Sequence, residues 1–373
     1  MSTGQELEYP SYIATALQAR TYGCRNKEEV KKNLKNQLDL IDESFTNSYL
    51  VGGGAVKLLA LPEGSIQGWY DELNHMDHAT YCKDLAIRIP GEETELLAKK
   101  AREYDIYIAA QAKVVDPDIT EDRFMNQGFI ISPKGEVILR HTKNLVGVVE
   151  GSATPYDLWD KWTAKYGDTL EAHYPVVKTD IGNLGMSICA ETLFPESFRA
   201  LAVNGAEVII KMTFVEPVIS WGIWEAINIS QAFTNVCYMV CANNAPYYAT
   251  FEKETPYTLL GGHSMIVDYR GHIVTKANHD AITGVPGCID IRALREYRSA
   301  SPQSAHNVQM RSNLWKQIYE KWPEYPKNLY MERDYPHAME RHLLHLQLLE
   351  KFYEAGLYER PKEAAGSSIS HFM

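Results

Sequence analysis

A chain of 373 residues with 45% hydrophobic and 11% aromatic side chains can bury a large core, as one large domain or one domain with an appendage. Its formal net charge of −11 excludes a general nucleic-acid binder, which concentrates Lys and Arg to displace phosphate counterions, and favours a small-molecule partner. No apolar run is long enough to span a bilayer, and the polar opening Met1 to Glu8 leads into no apolar leader core, so a cytoplasmic protein with no membrane partner is expected.

In chain order, the short apolar stretch at residues 11–18 reads as a strand. Asn26-Lys-Glu-Glu then caps a helix whose Val30, Leu34, Leu38 and Ile41 fall at helical spacing. Gly52-Gly-Gly-Ala-Val-Lys-Leu-Leu-Ala-Leu61 reads as a loop entering a buried strand that stops at Pro62-Glu63-Gly64. A helix at residues 92–104 leads into a strand at 106–112, and residues 126–132 pair with 137–141 across the turn Pro133-Lys-Gly135. Residues 173–179 and 183–189 form a second hairpin across Asp180-Ile-Gly182. There follow a helix to residue 204, a strand at 207–212, a helix at 221–235, a strand at 236–242, and a last hairpin of 264–268 with 272–276 around Tyr269-Arg-Gly271.

Strands alternating with helices, with hairpins between them, predict an α/β layered domain with a mixed sheet, and two sheets between helix layers accommodate the count. From residue 300 the character changes: Pro302, Pro323, Pro326 and Pro336 and many aromatics precede a leucine-rich helix at 338–355, stopped by Gly356. The expected division is a domain over residues 1–299 and a C-terminal arm over 300–373. A wrap around its own core and a contact between copies both suit the arm, and a homo-oligomer is expected.

Cys24, Cys82, Cys189, Cys237, Cys241 and Cys288 are scattered without the dense spacing of a disulfide scaffold, so reduced thiols are expected. Cys237 and Cys241 lie four apart, but in an apolar run that reads as a buried strand rather than a metal site. Among the twelve histidines only His342 and His345, in the tail helix, show a metal-like spacing, and no metal is expected.

Three chemistry-bearing residues fall at predicted strand ends: Glu63 after Leu58-Leu-Ala-Leu-Pro, Lys143 after Val137-Ile-Leu-Arg-His-Thr, and Cys189 after Leu184-Gly-Met-Ser-Ile. Singly, each has an ordinary reading, as a helix N-terminal acid, a solvated cation and a small core residue. Together with Ser65-Ile-Gln-Gly68, Asn126-Gln-Gly-Phe-Ile-Ile-Ser-Pro-Lys-Gly-Glu-Val137, Phe194-Pro-Glu196, Gly205-Ala-Glu-Val-Ile-Ile210 and Gly262-His-Ser-Met-Ile-Val-Asp268 they form an ordered set. That set resembles the nitrilase superfamily of carbon–nitrogen hydrolases over residues 10–295.

The resemblance implies a four-layer α-β-β-α sandwich, with Glu63 as general base, Lys143 as electrostatic stabiliser, Cys189 as nucleophile and Glu150 as the second glutamate found near the site in several branches. It implies a thioester mechanism without a cofactor, the oxyanion being held by Lys143 and the Ala190 backbone N–H. Residue chemistry agrees, since a carboxylate that takes the thiol proton beside a cation that favours the anion is what activation needs. Cys189-Ala-Glu191 lacks the Trp of the Cys-Trp-Glu usual in true nitrilases, which disfavours a nitrile, while Phe194-Pro-Glu196 and Gly205-Ala-Glu207 are similar to aliphatic amidases; a small amide is the leading substrate, with a nitrile or an N-carbamoyl compound as alternatives. Phe214, Glu216, Trp221 and Glu191 are candidate substrate contacts by placement. Tyr156, Trp159, Trp162, Tyr166 and Tyr174 line the pocket or pack a core. Two competing readings are a catalytically silent scaffold on the same fold and a papain-like Cys–His hydrolase using His173 or His263, both of which read as strand residues.

Overall fold

A computed structural model of the chain describes residues 7–71, 76–147, 150–214, 222–257, 261–332 and 338–361. Strand β1 (Ser11–Tyr22) leads to helix α1 (Lys27–Gly52), where the Asn26 side chain accepts from the Glu29 N–H and Gly53 ends the helix at φ 67. Then come β2 (Val56–Ala60), α2 (His78–Asp84), α3 (Glu92–Tyr104), β3 (Tyr107–Asp116), β4 (Thr120–Ile131), β5 (Val137–Thr142), α4 (Trp159–Tyr166), α5 (Leu170–His173), β6 (Val176–Thr179) and β7 (Gly182–Ile188). A 3₁₀ turn (Cys189–Leu193) precedes α6 (Pro195–Val203), β8 (Val208–Thr213), α7 (Ile223–Asn235), β9 (Tyr238–Tyr248), β10 (Met265–Val267), β11 (Ile273–Lys276), β12 (Thr283–Asp290), α8 (Ile291–Ala300), α9 (Ser312–Glu320) and α10 (Ala338–Glu354).

The strands form two sheets, β5-β4-β3-β2-β1-β12 and β6-β7-β8-β9-β10-β11, joined where the end of β1 runs parallel to the end of β9 at Ala19 opposite Asn244 and Tyr22 opposite Tyr248. The period-2 alternation of each strand then sorts side chains into layers. Leu58, Ala60, Ala109 and Ile130 of the first sheet meet Met186, Ile210, Val240 and Ile266 of the second. Leu59, Ile108 and Phe129 face outward onto Leu34 and Ile41 of α1 and Leu97 of α3. Ile209, Met239 and Cys241 face outward onto Phe198 of α6 and Trp224 of α7. This is the four-layer α-β-β-α sandwich. The sheets approach closely at Gly128, where a Cβ would stand 2.9 Å from the Met186 methyl.

Several local expectations change. The strand expected at 236–242 begins at Tyr238 and runs on to Tyr248, and Val236 caps α7 at φ 53 instead. His173 ends the short helix α5, and His263 stands outside the strands at φ 55. The helix expected directly after Cys189 is a 3₁₀ turn followed, from Pro195, by α6, because proline suits a first helical turn. Strand β12 was not foreseen: Pro286, Gly284 and Gly287 weaken its pattern, yet at an edge against β1 the missing proline N–H is tolerated.

Candidate active site

Glu63 follows β2 and is wholly buried. The chain turns immediately at Gly64, whose φ of 74 suits a residue without Cβ and whose N–H donates to Gln111 Oε1 at 2.6 Å. The carbonyl of Glu63 itself accepts from the Asn244 amide of β9, tying the turn to the second sheet. Lys143 follows β5, its backbone N–H donating to Asn126 O at 2.9 Å. Lys143 Nζ lies between two carboxylates, 2.8 Å from Glu63 Oε1 and 2.5 Å from Glu150 Oε2. Asn126 of β4 donates through Nδ2 to Glu63 Oε1 and Glu150 Oε1, both at 2.8 Å, and Gln111 of β3 donates to Asn126 Oδ1 at 2.7 Å, which fixes the amide's orientation. Two further donors join the set. Phe214 N–H reaches Glu63 Oε2 at 3.1 Å and Ser152 Oγ reaches Glu150 Oε1 at 2.6 Å.

Two carboxylates and one ammonium are thus taken out of water together, an arrangement whose desolvation cost is offset by the ion pairs and by the amide, hydroxyl and backbone donors on the carboxylate oxygens. The environments drive the two acids apart. Burial pushes the Glu63 carboxyl up, Lys143 opposes this, and the neighbouring Glu150 pushes it further up, leaving it above the usual carboxylate range. Burial acts on Glu150 in the same sense, but Lys143, Ser152 and Asn126 outweigh it and hold this carboxyl low. Lys143 is disfavoured as a cation by burial, yet Glu150, Glu63 and Cys189 together keep it charged well beyond neutrality. The site therefore has one acid suited to exchanging protons and one that stays an anion.

Cys189 comes from the other sheet, at the end of β7. Its φ of 42 is left-handed, a conformation rare for a residue with a Cβ, which stores on the order of 1–3 kcal/mol and lifts the side chain out of the strand. Cys189 is partly buried, and its thiol is close enough to bear on the charge of Lys143. Other cysteines differ: burial pushes the Cys237 thiol up to about 11 and the Cys241 thiol up to about 12, so they remain neutral core groups. Ala190, half-buried, follows in the turn.

Glu191 is fully buried and does not face an open pocket. Its carboxylate accepts from Ile188 N–H at 2.8 Å, His141 Nε2 at 2.9 Å and Asn144 N–H at 2.9 Å, so it ties the turn that carries Cys189 to the residues on either side of Lys143. This placement gives it a holding role in place of the substrate contact expected from sequence. His173 backs the same corner, its carbonyl accepting from Asn144 Nδ2 at 2.9 Å and its ring pairing with Asn144 Oδ1 at 2.9 Å. His263 stands instead against His279, ring centroids 5.9 Å apart.

Phe214 lies beside Glu63 and packs on Trp69 and Tyr247, with ring centroids 4.8 Å away in each case. Glu216 and Trp221 lie outside the described residues. The aromatics between Glu150 and Cys189 mostly pack. Trp162 joins a small core with Ile119, Met125, Ala153 and Leu158, Tyr166 Oη donates to Asp116 at 2.9 Å, and Tyr174 Oη pairs with Ser197 Oγ at 3.0 Å. Asn126, Gln111 and Asn244 were not singled out as site residues. Their signal was faint but present: each is an amide side chain within a buried stretch of strand, where a polar group must find buried partners.

Residues 13–299 match the carbon–nitrogen hydrolase family model. A formamidase from Bacillus cereus is 28% identical over 241 residues, covering 64% of this chain and 64% of that protein, so the match spans a little under two thirds of the relative. The solved structure of Saccharomyces cerevisiae Nit3, a member of branch 10 of the nitrilase superfamily, superposes with a TM-score of 0.60 at 20% identity over 78% of this chain and 94% of that one. A nitrilase-superfamily amidase from Nesterenkonia superposes with a TM-score of 0.58 at 16% identity over 82% of this chain and 97% of its own. With a family-model match over most of its length, the chain belongs to the carbon–nitrogen hydrolase family.

Proposed function

We propose that the protein hydrolyses the carbon–nitrogen bond of a small amide through a thioester on Cys189. The observation that carries this reading is the buried Lys143 held between Glu63 and Glu150, two carboxylates of opposed proton affinity, beside a half-exposed cysteine in a strained turn. Glu63 takes the thiol proton as Cys189 attacks the amide carbon, and Lys143 with the Ala190 N–H stabilises the oxyanion. Glu63 then protonates the departing amine and activates the water that cleaves the thioester. Glu150 fixes the lysine and orients the leaving nitrogen, Glu191 keeps the cysteine turn in place, and Phe214 forms a wall beside Glu63. No step calls for a cofactor.

The relatives named formamidase support a short acyl group, formamide being the simplest case. We further assign residues 1–299 to the hydrolase domain and 300–373 to an arm, in a cytoplasmic homo-oligomer. Exposed Leu193, Phe194, Val203 and Phe233 around α6 and α7 offer apolar surface for a contact between copies. Ammonia release from formamide, longer amides, N-carbamoyl amino acids and nitriles, with Cys189→Ala as control, tests the reading. A small amide should be turned over best, with an acyl adduct on Cys189 visible by intact mass. Turnover that survives in Cys189→Ala, or a clear preference for nitriles, overturns it.

A further inference from the structure

The family match ends at residue 299, yet a short piece of chain far beyond it comes back to the segment that carries Glu150. Asn328 N–H donates to Tyr156 O at 2.8 Å, Tyr330 N–H donates to Asp157 O at 3.1 Å, and Asp160 N–H donates to Asn328 Oδ1 at 3.0 Å. Asn328 holds φ 61, a left-handed conformation that Asn tolerates better than most residues, so its side chain and backbone can both bond the same turn. Lys327 Nζ lies 3.7 Å from the centre of the Trp159 ring, and Met331 packs on the small core around Trp162. Tyr330 is only 1% exposed, which marks a seated contact and not a chance approach.

From this seat two chains of contact lead to the site. One runs back along the backbone: Asp157 Oδ2 accepts from Thr154 N–H and Oγ1, both at 2.8 Å, Ala153 N–H bonds Phe124 O at 2.9 Å, and Ser152 Oγ bonds Glu150. Next to it, Gly151 O pairs with His78 Nε2 at 2.6 Å. The other runs through Trp159, stacked on His173 with ring centroids 5.7 Å apart and planes 13° from parallel, to Asn144, the residue after Lys143. We propose that Lys327 and Asn328 are positioning residues of the active site: the arm clamps the 150–162 segment and thereby sets Glu150 and the Lys143 loop. The effect on turnover rests on the amidase reading above; the clamp itself does not.

The test uses the full chain carrying Lys327→Ala and Asn328→Gly together, the glycine keeping the left-handed backbone. Amide hydrogen exchange in residues 150–162 should accelerate by about tenfold while exchange in β7 to β9 stays as in the wild type. Turnover of the best amide should fall about tenfold, mainly in kcat, because a small displacement of a positioned group costs that much. Alkylation of Cys189 by iodoacetamide should stay within about twofold of the wild type, a result that general loosening of the fold would not give. The conservative pair Lys327→Arg with Asn328→Asp, which keeps a cation over Trp159 and an acceptor for Asp160, should restore both exchange and kcat. Unchanged exchange in 150–162 overturns the clamp whatever the activity. Faster exchange with wild-type kcat overturns its link to catalysis, provided Cys189→Ala is inactive. Should Cys189→Ala remain active, the amidase reading fails while the exchange result still decides the clamp.

Discussion

In Lys143→Met the ammonium lying 2.8 Å from Glu63 and 2.5 Å from Glu150 is lost while the apolar stem is kept, so two buried carboxylates face each other without a cation. Removing one partner from a buried charge cluster costs about 3–5 kcal/mol, since the remaining charge cannot be hydrated. For a chain of 373 residues the unfolding entropy is about 0.8 kcal/mol per kelvin, so about 4 kcal/mol corresponds to a melting point lower by about 5 °C. The loss should depend on pH. Without the lysine both carboxyls lie above their unfolded values, so the folded variant binds more protons than the unfolded chain. That stability is fully present below the unfolded carboxyl value and is lost as pH rises through the raised one. The gap between wild type and variant should therefore be small at pH 5 and widen by pH 8. Thermal melts followed by circular dichroism at the two pH values measure it, and kcat on a small amide should drop by about 10²–10³. A gap that is the same at both pH values, or a variant as stable as the wild type at pH 8, would refute the view that Lys143 holds two charged acids together.

Because burial and Glu150 raise the Glu63 carboxyl, the acid limb of kcat/KM should lie above the ordinary glutamate value of about 4.3, activity being lost as pH falls through it. Glu63→Gln should cost about 10²–10⁴ in rate and erase that limb; a limb that persists unchanged in the variant assigns it to another group. Glu191→Gln turns one acceptor of a threefold-bonded carboxylate into a donor, with a stability loss of about 1–3 kcal/mol. Steady-state kinetics should show kcat falling more than KM rises, whereas a change in KM alone would return Glu191 to a substrate contact.

What the sequence could disclose follows from where each group sits on the chain. Glu63, Lys143 and Cys189 each follow a stretch that reads as a strand, so their positions at strand ends could be read from pattern, and the fold brings Glu63 and Lys143 into direct contact. The helix at Glu92–Tyr104 was equally plain, with acids in its first turn and an apolar stripe. Asn126 and Gln111 escaped notice because their work is between strands: Gln111 and Asn126 lie on adjacent strands, fifteen residues apart. Glu191 was misjudged for a related reason, since its partners His141 and Asn144 are about fifty residues away and only the folded corner makes it an anchor. β12 was hidden by Pro286 and its glycines, whose cost depends on whether a strand is central or at an edge, a property of the sheet and not of the segment.

The shared strand β1 gives the molecule a mechanical property. Glu63 and Lys143 hang from one sheet and Cys189 from the other, so the distance between the proposed base and the proposed nucleophile is a distance between sheets. Because a single backbone enters both hydrogen-bond ladders, with a register shift between Ala19 and Thr21, neither sheet can slide without breaking the other's pairing. The reactive geometry is thereby referenced to one covalent ruler, and a change at that irregular step could alter the chemistry from a place that no substrate touches.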